Sequence, residues 1–121
     1  MSWIECKCGY AIKDTTDNIS YKGYVISDKE FFDMLDLADK MIESTIPDRE
    51  EAAMSFRINI GGSKNCHVWL KDIFQCPECG RIFLEDNNGE FCSFLPEDSD
   101  GKQLLDYKGN GEIKLAKRRK L

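Results

Sequence analysis

The spacing of apolar residues is helical between about residues 28 and 58 and becomes strand-like from His67 onwards. From Asp28 to about Ser44 the apolar side chains recur at helical spacing, with charged residues on the opposite face. Ser27 and Glu30 have the spacing of a capping box, so we expect a helix to begin directly after Ser27. Its predicted apolar face contains Phe31, Met34, Leu35, Leu37, Ala38, Met41 and Ile42.

A second helix is predicted in "IPDREEAAMSFRI", residues 46–58. Pro47 suits a first helical turn, acidic residues follow it, and Gly61 and Gly62 are expected to end the helix. Short β-branched and aromatic runs predict strands. They are "SWIE" (2–5), "YKGYVI" (21–26), "HVWLKDIF" (67–74), "RIFLED" (81–86) and "EFCSFL" (90–95), the last two joined by an "NNG" turn.

These elements predict one α+β domain, because 121 residues can build one hydrophobic core but not two ordinary ones. We expect a small antiparallel sheet that carries one or two packed helices. The domain is predicted to span residues 1–107, followed by a flexible basic tail at 108–121 whose removal should not change stability.

Composition indicates a soluble, cytoplasmic protein. Hydrophobic residues make up 41% of the chain and charged residues 32%. No apolar run approaches the roughly 20 residues that span a bilayer, and the first residues lack the pattern of a signal peptide. In the cytosol, the six cysteines are expected to be thiols or metal ligands.

The net charge of -5 is unevenly distributed. Residues 114–121, "KLAKRRKL", contain five basic residues, whereas residues 1–113 contain 12 basic and 22 acidic ones. An acidic body repels nucleic acid phosphates and attracts a basic partner.

Two short cysteine motifs predict a metal site. Cys6 and Cys8 precede a glycine in "CKCG", and Cys76 and Cys79 precede one in "CPECG". Two tight turns that each supply two sulfurs can surround a tetrahedral zinc ion. We therefore predict metal knuckles at 6–8 and 76–79, holding Zn²⁺ with Cys6, Cys8, Cys76 and Cys79 as ligands and Lys7 and Arg81 nearby to offset the thiolate charge.

Other interpretations of these cysteines remain open. Iron also suits four thiolates. The cysteines could instead be unliganded thiols, disulfides in an exported protein, or a thioredoxin-like redox pair at Cys76 and Cys79. The redox interpretation requires a helix after Cys79, where a strand is predicted. Cys66, His67 and Cys92 are expected to lie outside the metal site.

The segment "CPECGR" with its following hairpin resembles a zinc ribbon or rubredoxin-type knuckle over about residues 73–95. The first motif departs from that pattern, because one residue rather than two separates Cys6 and Cys8. The resemblance implies a structural metal and a zinc-ribbon-like hairpin.

The sequence contains no pattern typical of a catalytic site, such as a glycine-rich phosphate loop or a serine nucleophile elbow. We therefore predict a binding protein that is not an enzyme. Phe32 lies on the first helix among Asp36, Asp39 and Glu43, and these four residues are the predicted surface for a basic protein partner. The competing interpretation is that Phe32 packs against a neighbouring strand or loop.

In size, charge and knuckle the chain resembles small acidic bacterial immunity proteins, which neutralise basic nuclease toxins. This resemblance implies a toxin-neutralising function. Two alternatives stand beside it: a zinc-ribbon module that binds nucleic acid or a transcription or translation assembly through the basic tail, and a rubredoxin-like electron carrier.

Overall fold

The computed structural model describes residues 2–63, 65–98, 101, 103–105 and 112–113. Within them the chain has an α+β fold, as predicted. In chain order the elements are β1 (Ser2–Glu5), β2 (Ala11–Asp14), β3 (Lys22–Val25), α1 (Asp28–Ile42), α2 (Arg49–Asn59), β4 (Ile60–Gly61), β5 (Val68–Trp69), β6 (Lys71–Gln75), β7 (Ile82–Glu85) and β8 (Phe91–Phe94).

The strands form one antiparallel sheet and two smaller pairs. The four-stranded sheet has the order β3-β6-β7-β8, and β1 and β2 form a separate antiparallel hairpin. The two-residue strands β4 and β5 pair in parallel. α1 and α2 pack on each other, α1 contacts β5 and α2 contacts β4.

The hydrophobic core lies between the β1–β2 hairpin and one face of the four-stranded sheet. Phe74 and Phe83 are cross-strand partners on that face, and Ile12 of β2 is completely buried against them. Cys6 and Cys76 belong to the same cluster. The knuckles therefore begin inside the core of the protein rather than on its surface.

α1 begins where the capping box predicts. The Ser27 hydroxyl accepts a hydrogen bond from the Glu30 amide at 3.3 Å and donates to Glu30 Oε1 at 3.1 Å. Glu30 Oε2 also accepts a hydrogen bond from the Trp69 amide at 2.7 Å. Glu30 therefore caps α1 and also connects this helix to β5 through the Trp69 amide. The local sequence does not predict this second contact.

The second helix was predicted at residues 46–58; it begins three residues later than predicted and ends one residue later. The helix begins at Arg49, because the Asp48 carboxylate accepts the Glu50 and Glu51 amides at 3.0 and 3.3 Å and caps it. Pro47 therefore precedes the cap and is not in the first turn. The helix ends at Asn59, before the glycines, and Gly61 belongs to β4.

Residues 67–74 do not form one strand as predicted. The run is divided at Leu70, whose amide donates to the Gly61 carbonyl at 2.6 Å. β5 before the break pairs with β4, and β6 after it pairs with β3 and β7. The sequence prediction also missed β2, the partner of the predicted strand at residues 2–5.

A segment beyond the last strand is attached to the sheet through Gln75, which is buried although polar. Its amide nitrogen donates to the carbonyls of Gly80, at 3.1 Å, and Gly101. Its amide oxygen accepts the Leu104 amide at 2.8 Å. These contacts fall inside the predicted domain at 1–107. Of the predicted tail at 108–121, only residues 112 and 113 lie among the described residues, so its role stays a prediction.

Neither helix in the described part of the chain combines the length and the apolar character needed to cross a membrane.

Candidate metal centre

The first knuckle is a tight turn that connects β1 to β2. The Cys6 amide donates to the Tyr10 carbonyl at 2.9 Å, and the Gly9 amide donates to the Cys6 carbonyl at 2.9 Å. Gly9 has φ of 97°, a conformation that side-chain-bearing residues rarely adopt. The glycine that follows Cys8 therefore allows the chain to reverse beneath the two sulfurs.

The second knuckle repeats this arrangement with one more residue. The Cys76 amide donates to the Arg81 carbonyl at 2.9 Å, and the Gly80 amide donates to the Cys76 carbonyl at 2.8 Å. Gly80 has φ of 81°. In both knuckles, the amide of the first cysteine donates to the carbonyl of the residue after the glycine. The shorter spacing of the first motif therefore shortens the loop but keeps the hydrogen bonds that close it.

The fold brings the two knuckles together, as predicted. The sulfur atoms of Cys6, Cys8, Cys76 and Cys79 all lie within 4.8 Å of one another. Cys6 Sγ is 3.5 Å from Cys79 Sγ, and Cys8 Sγ is 3.6 Å from Cys76 Sγ. The four cysteines can therefore hold one metal ion between the hairpin and the sheet.

These distances fit the donor set of a four-thiolate metal site. Metal–sulfur bonds of about 2.3 Å in a tetrahedron place the sulfurs about 3.8 Å apart, close to the spacing observed here. A disulfide needs sulfurs about 2.05 Å apart, and all four thiols are free. The thioredoxin-like interpretation also lacks its helix, because strand β7 follows Cys79.

The four sulfurs differ in their exposure to solvent. Cys6 and Cys76 are buried, Cys79 is half-buried and Cys8 is exposed. Each knuckle therefore contributes one inner and one outer sulfur, and the shorter motif contributes the more exposed one.

The environment of Cys76 favours its neutral thiol when no cation is present. Burial raises the pKa of Cys76 to about 12, although backbone amides of Cys79 and Glu78 hydrogen-bond to the sulfur and oppose the increase. A bound metal cation reverses this preference, because it interacts directly with the thiolate. Arg81 is half-buried beside the site, and its Nε has no hydrogen-bond partner among the described residues. Lys7 is exposed.

The remaining cysteines and the histidine lie outside this four-sulfur cluster. Cys66 is half-buried and its thiol donates to the Ile58 carbonyl at 3.7 Å. His67 is exposed beside it, and Cys92 is exposed on β8.

The predicted partner-binding residues are on α1, in the helical layer of the molecule. Phe32 is 56% exposed, and its ring meets Phe31 edge to face at a centroid distance of 5.6 Å. Asp36, Asp39 and Glu43 are also exposed. More than half of the Phe32 side chain therefore faces solvent, beside three carboxylates on the same helix.

Arg49, a residue that the sequence pattern does not single out, joins the two helices through its guanidinium. It donates to the Met41 and Ile42 carbonyls at 2.8 and 2.9 Å, and to the Ser44 carbonyl at 3.1 Å. The carbonyls at the end of α1 are thereby satisfied by a residue of the next helix. In the sequence, Arg49 is recognisable only as a basic residue in the first turn of a helix. That position does not show that its guanidinium binds the carbonyls at the end of α1.

Fold and site together define a small α+β domain in which four cysteines from two knuckles form one cluster. The chain belongs to the family DUF8617, a domain of unknown function, whose family model matches residues 2–98. The match includes both knuckles and both helices. No curated protein and no solved structure with which the chain was compared matches it.

Proposed function

We propose that this protein is a non-catalytic binding protein, with a structural zinc ion in the four-cysteine cluster and an acidic helical surface that binds a basic protein. By its size, charge and knuckle we assign it to the immunity type, which neutralises a basic, nuclease-type bacterial toxin. One observation carries the proposal: α1 has no buried residue, and it exposes Phe32 beside Asp36, Asp39 and Glu43.

The zinc assignment rests on the ligand set. Four thiolates complete the tetrahedral shell of zinc and leave no position open for substrate, which is typical of structural sites. Such a site would hold the β1–β2 hairpin against the four-stranded sheet, because each knuckle supplies two ligands. Iron has the same donor preference, so metal analysis of purified protein, together with its colour, distinguishes the two metals.

The partner assignment rests on charge and exposure. Residues 1–113 contain 22 acidic against 12 basic side chains, so the field of the body attracts cations. An exposed aromatic ring among carboxylates offers apolar area for burial and a charged rim for steering. Neutralisation of a basic nuclease would follow if this surface covered the site at which the nuclease binds phosphate.

Binding kinetics test this proposal. The partner is isolated by affinity capture with the intact protein, and its nuclease activity is assayed with and without the protein. Reversing Asp36, Asp39 and Glu43 to lysine should slow association and reduce its salt dependence, because the steering field is lost. Phe32→Ala should act through faster dissociation and cost about 2 kcal/mol of affinity.

A matched control reverses Asp17, Glu90 and Glu97, three exposed acids outside the helices. It changes the net charge equally, and it should leave most of the affinity intact. Equal effects of both triple reversals would remove α1 from the interface, and a captured partner whose activity is unchanged by the protein would contradict the immunity assignment.

A further inference from the structure

An apolar groove lies between the two helices. It has a volume of about 230 Å³ and is lined by Ala38, Met41, Ile42, Ala52, Ala53 and Phe56, with Arg49 at its margin. Small-molecule sites usually measure roughly 300–1,000 Å³. The groove is smaller than that range and nearly devoid of free polar groups, so it suits apolar side chains of a protein partner better than a cofactor.

The groove continues into an apolar stripe along α1. Phe31, Leu35 and Ile42 are exposed by 39%, 43% and 72%. With Ala38 they recur every three or four residues, which places them on one face of the helix. The eleven residue steps from Phe31 to Ile42 rise about 16 Å along the helix axis, so the stripe has the length of about three helical turns. Its shape is an elongated strip, suited to a helix rather than to a single side chain.

The charge on the two helices indicates which kind of protein segment can bind in the groove. Residues 27–59 contain nine acidic and four basic side chains. Asp39 lies next to the apolar stripe on α1, and Glu50 and Glu51 begin α2. A second copy of this chain would bring like charges together, whereas a basic segment would bring opposite charges together.

Arg49 does not oppose a basic occupant. Its guanidinium donates to the Met41 and Ile42 carbonyls at the end of α1. It also donates to the carbonyls of Ser44 and Ile46 and to the Ser44 hydroxyl oxygen, in the loop that follows α1. Its charge therefore lies against the negative end of the α1 dipole. The nine acidic side chains of residues 27–59 therefore outnumber the three remaining basic ones that an incoming partner can meet.

We infer that the groove between α1 and α2, with the stripe Phe31–Leu35–Ala38–Ile42, is the docking site for a basic amphipathic helix of the partner protein. This inference rests on the proposed function and specifies its recognition mode. The apolar face of the incoming helix packs into the groove, and its lysine or arginine residues meet the carboxylates beside the stripe. This is the helix-in-groove mode of peptide recognition.

A synthetic peptide of leucine and lysine tests the inference on the full-length, metal-loaded protein. The probe spans about five helical turns, with leucines on one face and lysines on the other. One control peptide carries glutamate in place of lysine, and another has the same composition with the leucines distributed around the helix. Affinity is measured by calorimetry, and backbone amide chemical shifts locate the contact.

Two matched variants locate the docking site. Ala53→Arg places a positive charge and a long side chain in the groove. Ile58→Arg adds the same charge on the same helix, at a position that is 68% exposed and about 140° away around the helix axis. We expect Ala53→Arg to weaken binding at least about tenfold and Ile58→Arg to change it by less than about twofold.

The outcomes separate this inference from the proposed function. Equal binding of the amphipathic and the redistributed peptide, or equal effects of the two arginine variants, would overturn docking in the groove. If binding then still depended on Asp36, Asp39 and Glu43, the acidic surface would keep its proposed function. Absence of binding by both basic peptides at low salt would contradict both proposals.

Discussion

The four-stranded sheet with its knuckles and the pair of helices are organised in opposite ways. Around the knuckles, Cys6, Ile12, Phe74 and Cys76 are at most 3% exposed. In the helical layer α1 has no buried residue, and Ala52 is the buried residue of α2. The core beside the knuckles has buried its apolar side chains, although the outer strands of the sheet expose Tyr24 and Phe94, whereas the two helices bury almost none of theirs.

Under the proposed function, this difference corresponds to a division of roles. A metal ion between the hairpin and the sheet can stabilise a small core, which reduces the need for the helices to bury apolar area. The helices can then keep exposed apolar groups available for binding. The following experiments test this division, in order of expected effect.

Removal of the metal should have the largest effect. Structural zinc contributes on the order of 10 kcal/mol of apparent binding energy, comparable with the stability of a whole domain. Chelation, or replacement of Cys76 or Cys79 by serine, should therefore lower the melting temperature more than any of the changes described below. Metal content and melting temperature are the measurements.

Cys92→Ser is the matched control for the metal experiment, because Cys92 is exposed and outside the cluster. It should retain one metal ion per chain. Purified protein that holds no metal and melts normally after chelation would exclude the structural site.

Truncation of a phenylalanine should distinguish the two regions. Phe74 is 3% exposed in the core, so Phe74→Ala should lower the free energy of unfolding by about 3–5 kcal/mol. Phe32 is 56% exposed, and its replacement by alanine should cost less than about 1 kcal/mol. Denaturant unfolding of both metal-loaded variants measures the difference. A large loss of stability in Phe32→Ala would show that this ring belongs to the core.

Stability should depend on pH with opposite signs in the metal-free and metal-loaded protein. Burial raises the pKa of Cys76 from 9.0 to about 12. Its neutral thiol is therefore favoured in the folded state, and the metal-free protein should lose up to a few kcal/mol as the pH rises from about 9 towards 12. The metal-loaded protein should instead lose stability on acidification, because protons displace the metal from the thiolates.

The free energy of unfolding is measured in reducing buffer at pH 7 and pH 10, with and without added zinc. These measurements give the pH dependence of stability for the metal-loaded and the metal-free protein. Cys76→Ser lacks the titrating thiol, so the slope above pH 9 should become smaller in the metal-free variant. An unchanged slope would assign the pH dependence to other groups.

Loss of the Arg49 contacts should have the smallest effect. Arg49→Ala removes hydrogen bonds to the last carbonyls of α1, but these groups can then bind water because Arg49 is exposed. We expect a loss of about 1 kcal/mol and increased amide exchange at the end of α1. Arg57→Ala, an exposed arginine at the other end of α2, is the control. Equal exchange in both variants would show that Arg49 does not hold the helix ends together.

Local interactions explain which elements the sequence predicted. The start of α1 depends on the Ser27 and Glu30 side chains, which act within one turn, and the glycines after Cys8 and Cys79 permit the positive φ of each knuckle. The hairpin of β7 and β8 likewise depends on a short turn that contains Gly89. These features require only neighbouring residues.

The start of α2 and the strand break at Leu70 could not be predicted in the same way. Pro47 could stand in the first turn of α2, or Asp48 could cap a helix that starts at Arg49. The residue types alone do not show which of these two helix starts is more stable. Leu70 continues an apolar run, and it leaves the strand because its amide donates to the carbonyl of Gly61 in β4.

The sequence by itself determined the two cysteine knuckles, the amphipathic helix α1 and the acidic balance of the body, because these depend on residue type and spacing over a few positions. The tertiary structure decided that the knuckles share one centre, with Cys6 Sγ 3.5 Å from Cys79 Sγ across 73 positions of sequence. It also decided that Glu30 connects α1 to β5 through the Trp69 amide and that an open groove runs between the two packed helices. The physical reason is that these contacts join distant segments, and their geometry follows from the packing of the whole core rather than from any local pattern.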